Sequence, residues 1–393
     1  MDNIKNVFCQ LIREALFGEK TEYNASIDWE EVYREVKLQA LFGLFSDMLP
    51  DLPLPENIRM QWENDVFSQY IAGVRVRSGQ AELVDLLNSA QVPFVILKGT
   101  AAAIYYPKPD YRTMGDVDFL VKEKDYLRVQ KLLEENGFEH SYVYQDNYRH
   151  ESFNKYNVEF ECHHSFADRQ RRRYRLIDSL LINNIDHAVY VNHQGDCFPI
   201  LPNIANGIVL IEHIAIHLGC GLGMRQIIDW MMYVDSFVDD DCWYRDLKDT
   251  YEKLGLDVLA VTVSNLCQSF FGLNGDLQWC KNADPDVCSE LFDLIFDYGN
   301  FGVKTPTDNK VVAVISRSKS GFFKNLKTAG EHNWKALHRF PFLKPLAPIY
   351  QLGRYSVQAI TTKGAIKGIS SKAKKANKNT ELFKKLGIEY SIN

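Results

Sequence analysis

No stretch constrains this chain more than Asp116-Val117-Asp118-Phe119-Leu120-Val121. Successive side chains of a β-strand leave opposite faces, so Asp116 and Asp118 project together while Val117, Phe119 and Val121 project to the other side. Such a strand needs a core against one face and a polar or cation-filled space against the other. The surrounding sequence supplies more of a sheet. Residues 92–97 form a short apolar run expected to be a strand, residues 99–106 suit a short helix, and residues 124–136 form an amphipathic helix that Gly137 stops. Two more strands are expected at 148–153 and 157–163 around a turn at Asn154-Lys155-Tyr156, and a hairpin over 188–200 turns at Gln194-Gly195.

On either side the period becomes helical. In residues 3–17 an apolar stripe runs through Ile4, Val7, Phe8, Leu11, Ile12 and Leu16, and residues 66–87 continue in that rhythm beyond Pro50, Pro53 and Pro55. Helices are expected again from residue 204 to about residue 300. The fold class read from this order is α+β: a small mixed sheet in a core of residues 91–200, flanked by a helical region over 1–90 and a helical domain over 201–303. A chain of 393 residues with 46% hydrophobic content can bury a core of that extent.

The net charge of -6 hides an asymmetry, because 18 Lys/Arg face 4 Asp/Glu from Lys304 onward, against 27 and 47 before it. Residues 304–393 therefore read as a basic extension, broken by Pro341, Pro345 and Pro348 and partly disordered over its Lys-rich stretch 363–385. Such a tail suits nucleic acid or an anionic membrane surface, or it docks on the acidic body. Charges throughout residues 1–20 argue against a signal peptide and for a cytoplasmic protein. The most apolar helical stretch, 204–222, carries Asn206, Glu212, His213 and His217, so no transmembrane segment is expected. Eight cysteines without a CxxC pair read as reduced thiols.

A second strand repeats the acidic device: Val158, Phe160 and Cys162 face one way, and Glu159, Glu161 and His163 the other. If the two strands are neighbours, their carboxylates crowd one patch of sheet, which is unfavourable until cations occupy it. Carboxylate oxygen suits magnesium, with manganese as the alternative ion, and two such ions serve in-line displacement at phosphorus. Gly99 and Thr100, where a strand passes into a helix, suit a phosphate seat.

With Leu97-Lys-Gly-Thr100, then Arg112 and Gly115-Asp-Val-Asp-Phe-Leu-Val121, then Glu161-Cys-His163, the chain resembles the DNA polymerase β-like nucleotidyltransferase superfamily. Within it, the chain is similar to the bacterial family of uncharacterised nucleotidyltransferases, over roughly residues 91–235, including the helix 210–217 and Arg225 with Asp229. The resemblance implies an enzyme moving a nucleoside monophosphate from an NTP such as ATP to an acceptor that is a protein, an RNA or a small molecule. It places the metal-binding carboxylates on Asp116, Asp118 and Glu161 and the phosphate turn on Gly99 and Thr100. Two rival readings keep parts of this: a non-catalytic nucleotide-binding or regulatory module on the same fold, and a nucleic-acid-binding protein led by its basic tail.

Beside these residues, Lys98 and Arg112 are candidates for phosphate contact, and Glu159 and His163 are accessory to the acids. His213 and His217, one helical turn apart, read more readily as packing or substrate contacts than as metal ligands, because no Glu follows His213. Arg225 and Asp229 read as an intrahelical pair. The basic run 169–173 with Arg175 could grip a phosphate-bearing acceptor or form a solvated helix face.

Overall fold

The computed structural model describes residues 3–24, 26–141, 150–166, 172–219, 221–304, 326–327, 330–331, 334, 336–361 and 369–388. Tyr148 of an expected strand, Arg169 to Arg171 of the basic run and positions 363–368 of the Lys-rich stretch lie outside these residues.

The sheet is built from β1 (Phe94–Leu97), β2 (Asp116–Val121), β3 (Glu139–His140), β4 (His150–Lys155), β5 (Val158–His163), β6 (Val189–His193) and β7 (Asp196–Ile200). The strands lie in the order β3-β4-β5-β2-β1-β7-β6. Strand β2 runs antiparallel to β1 and parallel to β5, and β1 runs parallel to β7, so the sheet is mixed as expected. The remaining pairs are antiparallel. One expectation fails in detail. The β4–β5 turn falls on Tyr156 and Asn157, both with left-handed φ (55° and 58°), rather than on residues 154–156. A two-residue turn with φ > 0 at both positions matches strand twist, and it resets the register so that His150 stands opposite His163.

Each face of the sheet has its own cover. Val117, Phe119, Val121, Phe153, Phe160 and Cys162 pack with Val76, Leu83 and Leu87 of α3 (Glu56–Ser89) and Val129 and Leu133 of α5 (Glu123–Glu135). A Cβ on Gly79 of α3 would lie 2.9 Å from Phe160 Cζ, so glycine is what lets this long helix press on the ring. Val95, Leu97 and Leu120 of the opposite face join a larger core. That core also takes in α1 (Asn3–Phe17), α2 (Trp29–Gln39), α6 (Arg172–Asn184), α7 (Asn203–His217) and α8 (Met224–Phe237). Further on, α9 (Asp240–Cys242), α10 (Lys248–Leu254), α11 (Asp257–Phe271) and α12 (Pro285–Tyr298) extend it. The helix α4 (Gly99–Ala103) follows β1 directly, and Asn206 of α7 donates to the Ala101 carbonyl at 3.1 Å.

Ile369–Lys385 is a helix, and Leu382, Phe383, Leu386 and Ile388 are buried in the same core. Lys375 meets Asp297 at 3.6 Å and Lys385 meets Glu290 at 3.2 Å, both acids on α12. Leu382 and Phe383 give the last turns of this helix a buried face among its lysines, and Leu386 and Ile388 continue it just beyond the helix end. No helix among the described residues is long and apolar enough to cross a membrane.

Candidate functional site

The parallel pairing of β2 with β5 sets Asp116 opposite Glu159 and Asp118 opposite Glu161. Opposed residues of paired strands share a face, so all four acids lie on one side, with Val117, Phe119, Phe160 and Cys162 sealed on the other. Across the next pair, Ser152 stands opposite Glu161 and His150 opposite His163. Leu97 stands opposite Asp118 on the far strand and is buried. The acids thus occupy the stretch of this face that apolar packing does not fill.

Asp118 is 3% exposed and its Oδ1 is the hub of the cluster. Lys98 Nζ lies 2.7 Å from it and His163 Nε2 lies 2.9 Å from it. The same His163 nitrogen is 3.2 Å from Glu161 Oε2, and His150 Nε2 is 3.5 Å from Glu161 Oε1. Burial alone would push the Asp118 carboxyl up; Lys98 and His163 outweigh it and hold the carboxyl well below the ordinary range. Asp116 has no ion-pair partner among the described residues, and burial and then Asp118 push its carboxyl up to about 6. Burial works against the charge of Lys98, yet Asp118, Glu161 and Asp116 raise its ammonium above the usual value. His163 is likewise raised against burial by its bonds to Asp118 and Glu161, whereas burial and His163 bring His150 down to about 4. A carboxylate raised by its acidic neighbour is what a divalent cation relieves, so the oxygens of Asp116, Asp118 and Glu161 suit such an ion by their chemistry, and the three acids share one face of the sheet.

At the end of β1 the backbone is strained: Lys98 has φ 47° and Gly99 has φ 27°. A Cβ built on Gly99 would find only the Asp116 carbonyl oxygen, at 3.7 Å, so the space beside this turn is open. Thr100 does not face it. Its hydroxyl donates to buried Gln80 Oε1 at 2.5 Å.

Residues 25–272 match the family of uncharacterised nucleotidyltransferases. The chain belongs to that family. The match begins within the N-terminal helices and ends just beyond α11, which is wider than the 91–235 expected from motifs alone. A crystal structure of an antigenic nucleotidyltransferase-like protein from Paracoccidioides brasiliensis is 17% identical, covers 56% of this chain and 93% of its own, and superposes with a TM-score of 0.32. That likeness is loose and assigns nothing to this chain. No curated protein matches it.

Within this member of the family several expected site residues are engaged with other parts of the structure. The Arg112 fork is engaged with Asp229 of α8, Nε to Oδ1 at 2.8 Å and an Nη to Oδ2 at 2.9 Å, with both side chains buried. Tyr106 donates to the same Oδ1 at 2.8 Å. The expected phosphate ligand is therefore a strut between the loop before β2 and α8, and Asp229 is not the intrahelical partner of Arg225. Arg225 instead donates one Nη to the Thr113 carbonyl at 3.1 Å, and its Nε is buried without a hydrogen-bond partner among the described residues. Burial and nearby Arg112 lower its pKa, and Asp116 is among the acids that counter this.

The rings of His213 and His217 pack edge to face 4.6 Å apart, and His217 packs on Phe301. Arg173 of the basic run pairs with Glu212, which is wholly buried, at 2.6 Å. Among the described residues the ligand atoms of His150, Glu161 and His163 lie within 4.8 Å of one another. His150 went unnoticed in the sequence because a turn placed at 154–156 takes it out of line with His163; the left-handed pair Tyr156-Asn157 was the signal that restores the register.

Proposed function

We propose that this chain moves a nucleoside monophosphate from an NTP to an acceptor hydroxyl or phosphate in a magnesium-dependent reaction, with manganese as a substitute ion. The observation that carries the reading is the gathering of Asp116, Asp118 and Glu161 on one face, with the Asp116 carboxyl pushed up to about 6 by burial and its neighbour. Asp116 and Asp118 would hold the ions, with Glu161 as third ligand. Bound there, a divalent ion supplies Lewis-acid polarisation of the phosphoryl oxygens. Lys98 keeps Asp118 ionised and is placed to follow the charge onto a phosphate.

The α4 helix has five residues and offers little dipole, so the seat beside Gly99 relies on backbone N–H groups and on Lys98. Arg225, with a buried Nε still to be satisfied, takes the phosphate role first expected of Arg112. The acceptor oxygen attacks the α-phosphorus, the bond to pyrophosphate breaks, and the acceptor proton passes to Glu161. The test is to incubate the full chain with α-labelled NTPs, magnesium, and protein, RNA and small-molecule acceptors. Label transfer is expected from the wild type and not from Asp118→Ala; equal transfer by that variant defeats the assignment.

A further inference from the structure

We infer that His150, Glu161 and His163 form a site for a zinc-class transition-metal ion, separate from the magnesium acids but sharing Glu161 with them. The separations support one ion. Ligands on a tetrahedral zinc, bound at roughly 2.0–2.1 Å, stand about 3.3 Å apart. Each histidine nitrogen stands near that separation from one Glu161 oxygen, His150 Nε2 at 3.5 Å from Oε1 and His163 Nε2 at 3.2 Å from Oε2, so the carboxylate spans the two imidazoles. All three ligand atoms fall within 4.8 Å of one another.

The site is also built into the sheet. His150 and His163 are directly opposed across β4 and β5, and Glu161 is two residues along the same face, so no loop has to move to assemble it. Both histidines are buried, at 8% and 5% exposure. Among the described residues the hydroxyl of Ser152, which stands opposite Glu161, is buried without a hydrogen-bond partner. Two imidazoles with one carboxylate are a poor set for magnesium, which takes oxygen, and a good one for zinc or cobalt.

The inference deepens the proposed function and rests on it only through Glu161. An ion here draws Glu161 toward β4 and takes His163 Nε2 from its 2.9 Å contact with Asp118 Oδ1, leaving Asp118 with Lys98 alone. Zinc at this site therefore competes with the magnesium-bound nucleotide rather than replacing magnesium.

The experiment uses the full chain stripped of metal by chelator and titrated with Co2+, whose visible d–d bands report four- or five-coordinate nitrogen and oxygen ligation. The wild type is expected to develop these bands, lose them to added Zn2+, and bind magnesium-nucleotide less well once Zn2+ is present. His150→Gln is expected to weaken Co2+ binding by about 100-fold or more while keeping magnesium-nucleotide binding. Asp116→Asn is expected to do the reverse, keeping the bands and losing magnesium-nucleotide binding. Folded wild-type protein without bands, or bands unchanged in His150→Gln, overturns the zinc-class site. Label transfer surviving in Asp116→Asn alongside the expected cobalt results defeats the transfer reading and leaves this one standing.

Discussion

Two buried ion pairs on adjoining parts of the molecule do opposite jobs. Arg112–Asp229 is complete: both carboxylate oxygens meet the guanidinium fork, and Tyr106 adds a third donor. Lys98–Asp118 is overloaded at one oxygen, where an ammonium and an imidazole meet, with Asp116 and Glu161 close enough to help raise the pKa of the Lys98 ammonium. The first pair satisfies its own groups and asks for no ligand. The second holds more negative charge than the protein neutralises, and that excess is what a metal-bound nucleotide can use.

The sharpest way to break the contrast is to cut the complete pair. Arg112→Ala or Asp229→Ala leaves its partner charged and buried, and a loss of about 3–5 kcal/mol in unfolding free energy is expected from urea titration. The double replacement Arg112→Met with Asp229→Leu should recover most of that loss, because the apolar pair leaves no orphaned charge. A double variant as unstable as the single ones would mean that Tyr106 and the α8 helix, not the ion pair, set the cost.

At the overloaded pair the expected effect falls on chemistry. Asp118→Ala should lower label transfer on the order of 10²–10³-fold or more, the scale of losing one group that stabilises charge in a transition state. Asp116→Asn should abolish magnesium-dependent transfer yet raise the stability of the metal-free chain at neutral pH by about 1–2 kcal/mol, since it removes a buried charge that Asp118 repels. Thermal unfolding with and without magnesium checks both halves. A destabilised Asp116→Asn would show that the acids are not crowded in the way described.

The same contrast separates what the sequence discloses from what it hides. The shared face of the acids is legible because alternation along β2 and β5 is a local property that sets Asp116 with Asp118 and Glu159 with Glu161, whereas the choice of Glu161 as third acid comes from the resemblance. The partners are not. Arg112 and Asp229 are 117 residues apart, and no local period links a loop before β2 to the second turn of α8. His150 fell between these cases, since its place opposite His163 depends on which two residues form one turn. In the helix Ile369–Lys385 the lysines dominate the composition, while Leu382 and Phe383, with Leu386 just beyond it, join the core, a division that composition does not separate.

The smallest expected effect decides a question the motif leaves open at Thr100. A hydroxyl next to Gly99 suggests phosphate contact, yet here it serves buried Gln80, 2.5 Å away on α3. Removing it should therefore act on stability and leave chemistry alone. Thr100→Val keeps the shape and leaves the Gln80 oxygen without its donor, for an expected loss of about 1–2 kcal/mol, and Thr100→Ser should restore most of it. Transfer rate and KM for the NTP should stay within about twofold of the wild type in both, a change of under about 0.5 kcal/mol. A KM raised tenfold in Thr100→Val with unchanged stability would return the hydroxyl to the phosphate and make Gln80 a resting partner that substrate displaces.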